Sequence, residues 1–105
     1  MDLLAREIVQ QAYALNPVEL DAALSSIGLT DWQQVVQNLL FRGWDTGGGC
    51  MMLITDLPGT DDYQMGITDG DAGFPSDTEN FWVGIMDSGG DEVFYMFVKN
   101  GQFHT

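Results

Sequence analysis

The sequence predicts an α+β fold in which three N-terminal helices pack on one face of a four-stranded antiparallel meander. Three observations lead there. Apolar residues recur at helical spacing up to Gly43, and beyond Gly49 the period shortens to that of extended chain. Helix-start signals punctuate the first part, and turns rich in Gly and Asp punctuate the second. Finally, two nearly unbroken apolar runs, Phe81 to Met86 and Val93 to Val98, are joined by Asp87-Ser88-Gly89-Gly90-Asp91. That joint reads as a hairpin because glycine accepts the positive φ of a tight turn.

The first helix runs from Asp2 to about Leu15, with Leu4, Ile8, Ala12 and Leu15 on one face. Asn16 is suited to cap a second helix, Pro17 to occupy its first position and Glu19 to complete a capping box. Leu20, Leu24 and Ile27 give that helix its apolar face, and Gly28 closes it. Thr30 opens a third helix whose stripe is Trp32, Val35, Val36, Leu39 and Leu40, ending at Gly43. After the connector Asp45 to Gly49, strands are expected at Cys50 to Thr55, Tyr63 to Thr68 and in the two apolar runs. Asn100-Gly101 marks another turn, leaving Gln102 to Thr105 as a tail or final edge strand. Residues 1–43 thus form the helical part and 49–105 the sheet part of one domain.

Charge dominates the second part. From Gly43 to Val98 there are acids throughout and not one Lys or Arg, and the whole chain carries a formal net charge of -13 on 105 residues. Ordinary surfaces intersperse both signs. In a meander, alternate turns share an end, so Asp56, Asp61, Asp62, Asp87, Asp91 and Glu92 are expected at one rim. Asp69, Asp71, Asp77 and Glu79 are expected at the other, with Asp45 near them. Two such charges about 8 Å apart in water cost roughly 0.5 kcal/mol before screening, which folding tolerates without requiring it. A three-residue echo, Ile54-Thr55-Asp56, Ile67-Thr68-Asp69 and Ile85-Met86-Asp87, marks strand ends whose Asp can bond its own backbone.

Both faces of the two central runs are apolar: Phe81, Val83 and Ile85 alternate with Trp82 and Met86, and Val93, Tyr95 and Phe97 with Phe94, Met96 and Val98. Helices cover one face only, so the other face is expected to meet the C-terminal tail within the monomer, a second copy of the chain or a partner.

No site for chemistry stands out. Asp69-Gly70-Asp71-Ala72-Gly73 opens like a calcium loop, but Gly73 replaces the third ligand and Asn80 stands where a bidentate Glu is needed. Cys50 and His104 make neither a zinc set nor a local catalytic signature, and Gly47-Gly48-Gly49 lacks the Lys of a phosphate loop. Carboxylate pairs such as Asp61 with Asp62 are expected to stay solvated and ionised. The expectation is therefore a protein that is not an enzyme and holds no cofactor or metal.

Arg6, Arg42 and Lys99 are too few for a nucleic-acid footprint, and a surface this negative repels phosphate and anionic membrane alike. One cysteine, an early acid at the N-terminus and no long apolar run suggest the cytoplasm. In size and charge the chain resembles two groups of proteins. One is the small acidic proteins, anti-CRISPR proteins included, that phages direct against host nucleases; the other is the immunity proteins of nuclease toxins. The resemblance implies an inhibitor that occupies the nucleic-acid groove of a nuclease or CRISPR effector. Asp56, Asp61, Asp62, Asp87, Asp91 and Glu92 would serve as phosphate surrogates, with Trp82 and Phe94 as apolar anchors. The alternative is an assembly or adaptor module that dimerises or docks through the sheet face, burying Trp82, Phe94 and Met96.

Overall fold

The structure, a computed structural model, describes residues 2–31, 34, 39–45, 51–60, 62–71 and 73–104. Helix α1 spans Asp2–Leu15 and α2 spans Pro17–Ser26. In α1 the fully buried positions are Ala5, Ile8, Val9 and Ala12, while Leu4 and Leu15 are half-buried at the margins. The buried stripe thus keeps Ile8 and Ala12 of the expected face but is turned toward Ala5 and Val9, away from Leu4 and Leu15.

Asn16 is largely buried but does not cap α2 through its side chain; its Nδ2 donates to Glu19 Oε2 at 3.2 Å. The far end of α2 closes as expected. Gly28, at φ +99°, donates its N–H to Ser25 O, and Leu29 N–H reaches back to Leu24 O at 2.9 Å, the paired bonds of a Schellman motif. Tyr13 ties the helices together by donating its hydroxyl to Asp21 Oδ2 at 3.0 Å.

The sheet has six antiparallel strands in sequence order: β1 (Arg42–Asp45), β2 (Met51–Asp56), β3 (Gln64–Thr68), β4 (Phe81–Met86), β5 (Glu92–Lys99) and β6 (Gln102–His104). This corrects the expectation of four strands. Residues Arg42 to Asp45 carry no alternation and are all exposed, so only pairing with β2 makes them a strand. The sheet therefore begins at Arg42 rather than near Gly49, and Gly43, expected to end a helix, sits inside β1. The third helix falls mostly outside the described residues, Trp32, Val35 and Val36 among them, as do Cys50 and Gly47 to Gly49. Leu39 and Leu40 lie in non-helical chain ahead of β1, the first buried and the second exposed.

The C-terminal tail resolves into β6. Asn100 at φ +53° and Gly101 at φ +75° form the left-handed pair of a type I′ turn, whose twist matches that of the flanking strands. Asn100 N–H also donates to Asn80 Oδ1 at 3.1 Å and Gly101 N–H to Glu79 O at 2.9 Å, binding this turn to the β3–β4 loop.

Leu53, Met65, Ile67, Phe81, Val83, Ile85, Met96 and Val98 project from one face and form a continuous core with Ile8, Val9, Leu20 and Leu24 of the helices. Burial of this face supplies most of the driving force for folding. Among the described residues no helix is long and apolar enough to cross a membrane.

Candidate functional site

Strand direction reverses at every turn, so the β2–β3 and β4–β5 turns lie at one end of the sheet and the β3–β4 loop and β5–β6 turn at the other. The first end carries Asp56, Asp62, Asp87, Asp91 and Glu92; Asp61 lies outside the described residues. The second carries Asp69, Asp71, Asp77 and Glu79, with Asp45 at the close of β1.

The carboxylates at the first end do different work. Asp56 is held by its neighbours: Arg42 Nη1 stands 3.8 Å from its Oδ2, and Gln64 Nε2 donates to Oδ1 at 2.8 Å. Both members of the ion pair are more than half exposed, so water screens the pair. Asp87 faces inward on its own turn. Its Oδ1 accepts the N–H groups of Gly89 and Asp91, each at 2.9 Å, while its own N–H donates to Asp91 O. Asp91, Glu92 and Asp62 are exposed. Asp62 occupies the left-handed region at φ +60°, which Asp tolerates better than most residues.

Asp69 repeats the Asp87 arrangement atom for atom at the opposite end. Its Oδ1 accepts from Asp71 N at 2.7 Å and Gly73 N at 2.8 Å, and its N–H donates to Gly73 O. The sequence echo thus has a structural meaning at two of its three positions: an apolar strand stops where an Asp closes a five-residue loop. Asp56, the third, turns to Arg42 and Gln64 instead. Asp87→Ala leaves two backbone donors without their acceptor. It is expected to cost about 1–2 kcal/mol, read as a fall of several degrees in Tm, with Asp87→Asn close to neutral.

Asp77 makes a similar local closure. Its carboxyl is held below its ordinary value of 3.8, first by the N–H of Glu79, then by the N–H and side-chain amide of Asn80, against a small opposing desolvation. A lowered folded pKa means stabilisation that is fully present above the unfolded value and lost as pH falls through the folded one. The stability difference between the chain and Asp77→Ala is therefore expected at pH 6 and should shrink below about pH 4, as thermal unfolding at the two pH values would show.

Near Asp69, a cavity of about 390 Å³ is lined by Asp69, Gly70, Asp71, Ser76, Asn80, Phe97 and Lys99. One oxygen of Asp69 is already committed to its loop, and no group of three or more metal-ligating side chains converges among the described residues. His104 is exposed in β6 with its ring 6.4 Å from that of Phe97.

The outer face of the sheet holds the other feature. Trp82 and Met86 project from it, as do Trp44, Met52, Ile54, Tyr95 and Phe97. Trp44, Val93 and Tyr95 are 47%, 48% and 56% exposed. Trp82 lies flat along its strand, because Gly84 offers no side chain beneath the indole; a Cβ there would overlap Trp82 Cη2. Gly66 pairs with Gly84 and is roofed by Met86 and Met52.

Phe94 is the correction here. It pairs with Ile85 and packs on the helix-covered face, as does fully buried Met96, so neither shares a surface with Trp82. Pairing sets Tyr95 and Phe97 on the outer face beside Gly84 and Trp82, with exposed Val93 at a bulge before them; alternation had grouped these three, and only the register shows which face they share. Trp44 had no such signal, since β1 was not legible as a strand.

No family model matches the chain, and neither a curated protein nor a solved structure is detectably similar to it.

Proposed function

We propose that this chain is a small acidic inhibitor that binds the nucleic-acid-handling surface of a basic protein, in the manner of anti-CRISPR and nuclease-immunity proteins. The observation that supports it is the gathering of Asp56, Asp62, Asp87, Asp91 and Glu92 from two adjacent turns at one sheet end, where Arg42 is the cation placed among them by the described residues. Carboxylates held on short, internally bonded turns lose little entropy on meeting Lys and Arg, and can stand where phosphates would. Asp91, Glu92 and Asp62 present outward charge; Asp87 chiefly shapes the turn that carries Asp91. A non-enzymatic role fits this division of labour, with the work done by charge and shape in the cytoplasm of a host cell.

The test is displacement of labelled DNA from a panel of purified nucleases and CRISPR effectors. The chain is expected to displace DNA from its target at 50 mM salt and to lose most of that ability by 500 mM. Binding that is indifferent to salt, or no displacement from any member, counts against the reading.

A second reading, a docking or adaptor module, is favoured by one observation: the exposed Trp44, Val93 and Tyr95 on the outer sheet face. Sedimentation separates the two. A stable homodimer without added partner supports assembly, and a monomer that becomes 1:1 with a nuclease supports inhibition.

A further inference from the structure

From the charge at both ends of the outer sheet face we infer that this face takes a basic amphipathic helix of the partner protein, laid across the strands. The inference rests on the reading that the partner is a basic protein, and adds which surface engages it and with what secondary structure.

The face is apolar along its middle and acidic beyond both ends of its strands. The pairing Arg42–Ile54–Gly66–Gly84–Tyr95 runs across five strands, apolar save for Arg42, whose guanidinium turns to Asp56 at the strand end. Its central glycines keep the floor low, and Trp82, Met86 and Met52 lie over them. The thioether side chains of Met52 and Met86 on such a floor repack readily around an apolar guest, beside the flat indole of Trp82. Asp56 and Glu92 continue the row of Gln64 and Met86 toward one end, while Asp69 and Asp71 stand beside Phe97 at the other. Arg42 and Lys99 sit among these acids, one at each end, and leave both ends net negative.

Two-sided charge selects the occupant. A second copy of the chain would bring a further -13 against the same rims. A groove uniformly lined with Lys and Arg would match the rims but leave Trp44 and Tyr95 uncovered. An amphipathic helix meets both demands, with an apolar stripe below and basic residues along its two flanks.

Dimensions agree. Strands of about six residues set the ends roughly 20 Å apart. A helix about 10–12 Å across leaves a gap on each side that Lys or Arg stems span while their heads reach the carboxylates. Six strands at about 4.8 Å spacing accommodate a helix of some 16 residues.

The probe is a 16-residue Leu/Lys peptide patterned at helical spacing with Lys on both flanks. It is expected to bind 1:1 with micromolar affinity, become helical by circular dichroism and perturb tryptophan fluorescence. A peptide with Lys on one flank only, the other flank Gln, should bind at least tenfold more weakly. Val93→Ser with Tyr95→Ser should weaken the two-flank peptide at least tenfold. Leu3→Ser with Val18→Ser, at exposed apolar positions on the helices, should change it less than twofold. Circular dichroism of each variant alone verifies that its fold is kept.

Equal affinity of the two peptides, equal loss in both double variants, or a dimer of the chain alone that Tyr95→Ser dissociates would each overturn the inference. A chain that displaces DNA from a nuclease yet ignores the peptide overturns the helix and leaves the inhibitor standing. Peptide binding without DNA displacement does the reverse.

Discussion

Reversing Asp91→Lys together with Glu92→Lys is expected to lower the association rate with a basic partner by about tenfold to a hundredfold at low salt, with a smaller change in the dissociation rate. These two positions are chosen because both side chains are exposed and neither closes the turn; Asp91 contributes its backbone N–H and O to Asp87, and those bonds survive any side chain. Asp62 is a poorer choice for Lys because its left-handed backbone disfavours a long side chain, so neutralisation by Asn serves there. The pair changes the local charge by four units at an end where Arg42 already stands. Stopped-flow association at 50 and 500 mM salt is the measurement. The gap between wild type and variant should be widest at low salt and nearly close at high salt, where the Debye length falls to a few ångströms. A deficit that appears wholly in the dissociation rate and ignores salt would mean that these acids act as short-range contacts, and the steering role would be lost.

Gly84→Ala carries the largest expected cost to the fold from so small a change, about 1–3 kcal/mol. The added methyl would occupy the space of the Trp82 ring, which lies along the same strand, and the indole must swing off the sheet. In a chain of this size that corresponds to a fall in Tm of about 5 °C or more. Gly66→Ala is the control. Its Cβ would stand 3.0 Å from Met86 Cε and 3.2 Å from Met52 Sδ, both at or next to the ends of flexible side chains, so the expected cost is below about 1 kcal/mol. Combining Gly84→Ala with Trp82→Val should recover much of the loss, since the overlap disappears with the ring. Equal costs in both backgrounds would show that Trp82 does not lie where the structure puts it.

The outer face and the acidic ends were legible to different degrees. Alternation along Phe81 to Met86 already separates Trp82 from Val83, and alternation along Val93 to Val98 separates Tyr95 from Phe94 and Met96, because strand side chains alternate whatever the partner. Which set of β5 shares a face with Trp82 is decided by register alone, and the register that sets Phe94 against Ile85 corrects the grouping of Trp82 with Phe94. The turn acids grouped as expected because hairpin connectivity alone decides which turns share an end. The echo at the strand ends already pointed to Asp87 and Asp69 bonding their own loops; what it could not reveal is that Asp56 instead finds Arg42 across a strand pair.

By itself the sequence determined the class of fold, the extent of the first two helices, the meander, its principal turns and an overwhelming negative charge. All of these follow from local periodicity, glycine and proline conformational preference, and composition. Only the tertiary structure decided the number of strands, since edge segments such as Arg42 to Asp45 and Gln102 to His104 are too short and too exposed for periodicity to define and become strands through their neighbours' hydrogen bonds. It also decided which acids remain free to meet a partner, because a carboxylate's availability depends on donors brought to it by chain reversal, and chain reversal is a property of the folded molecule.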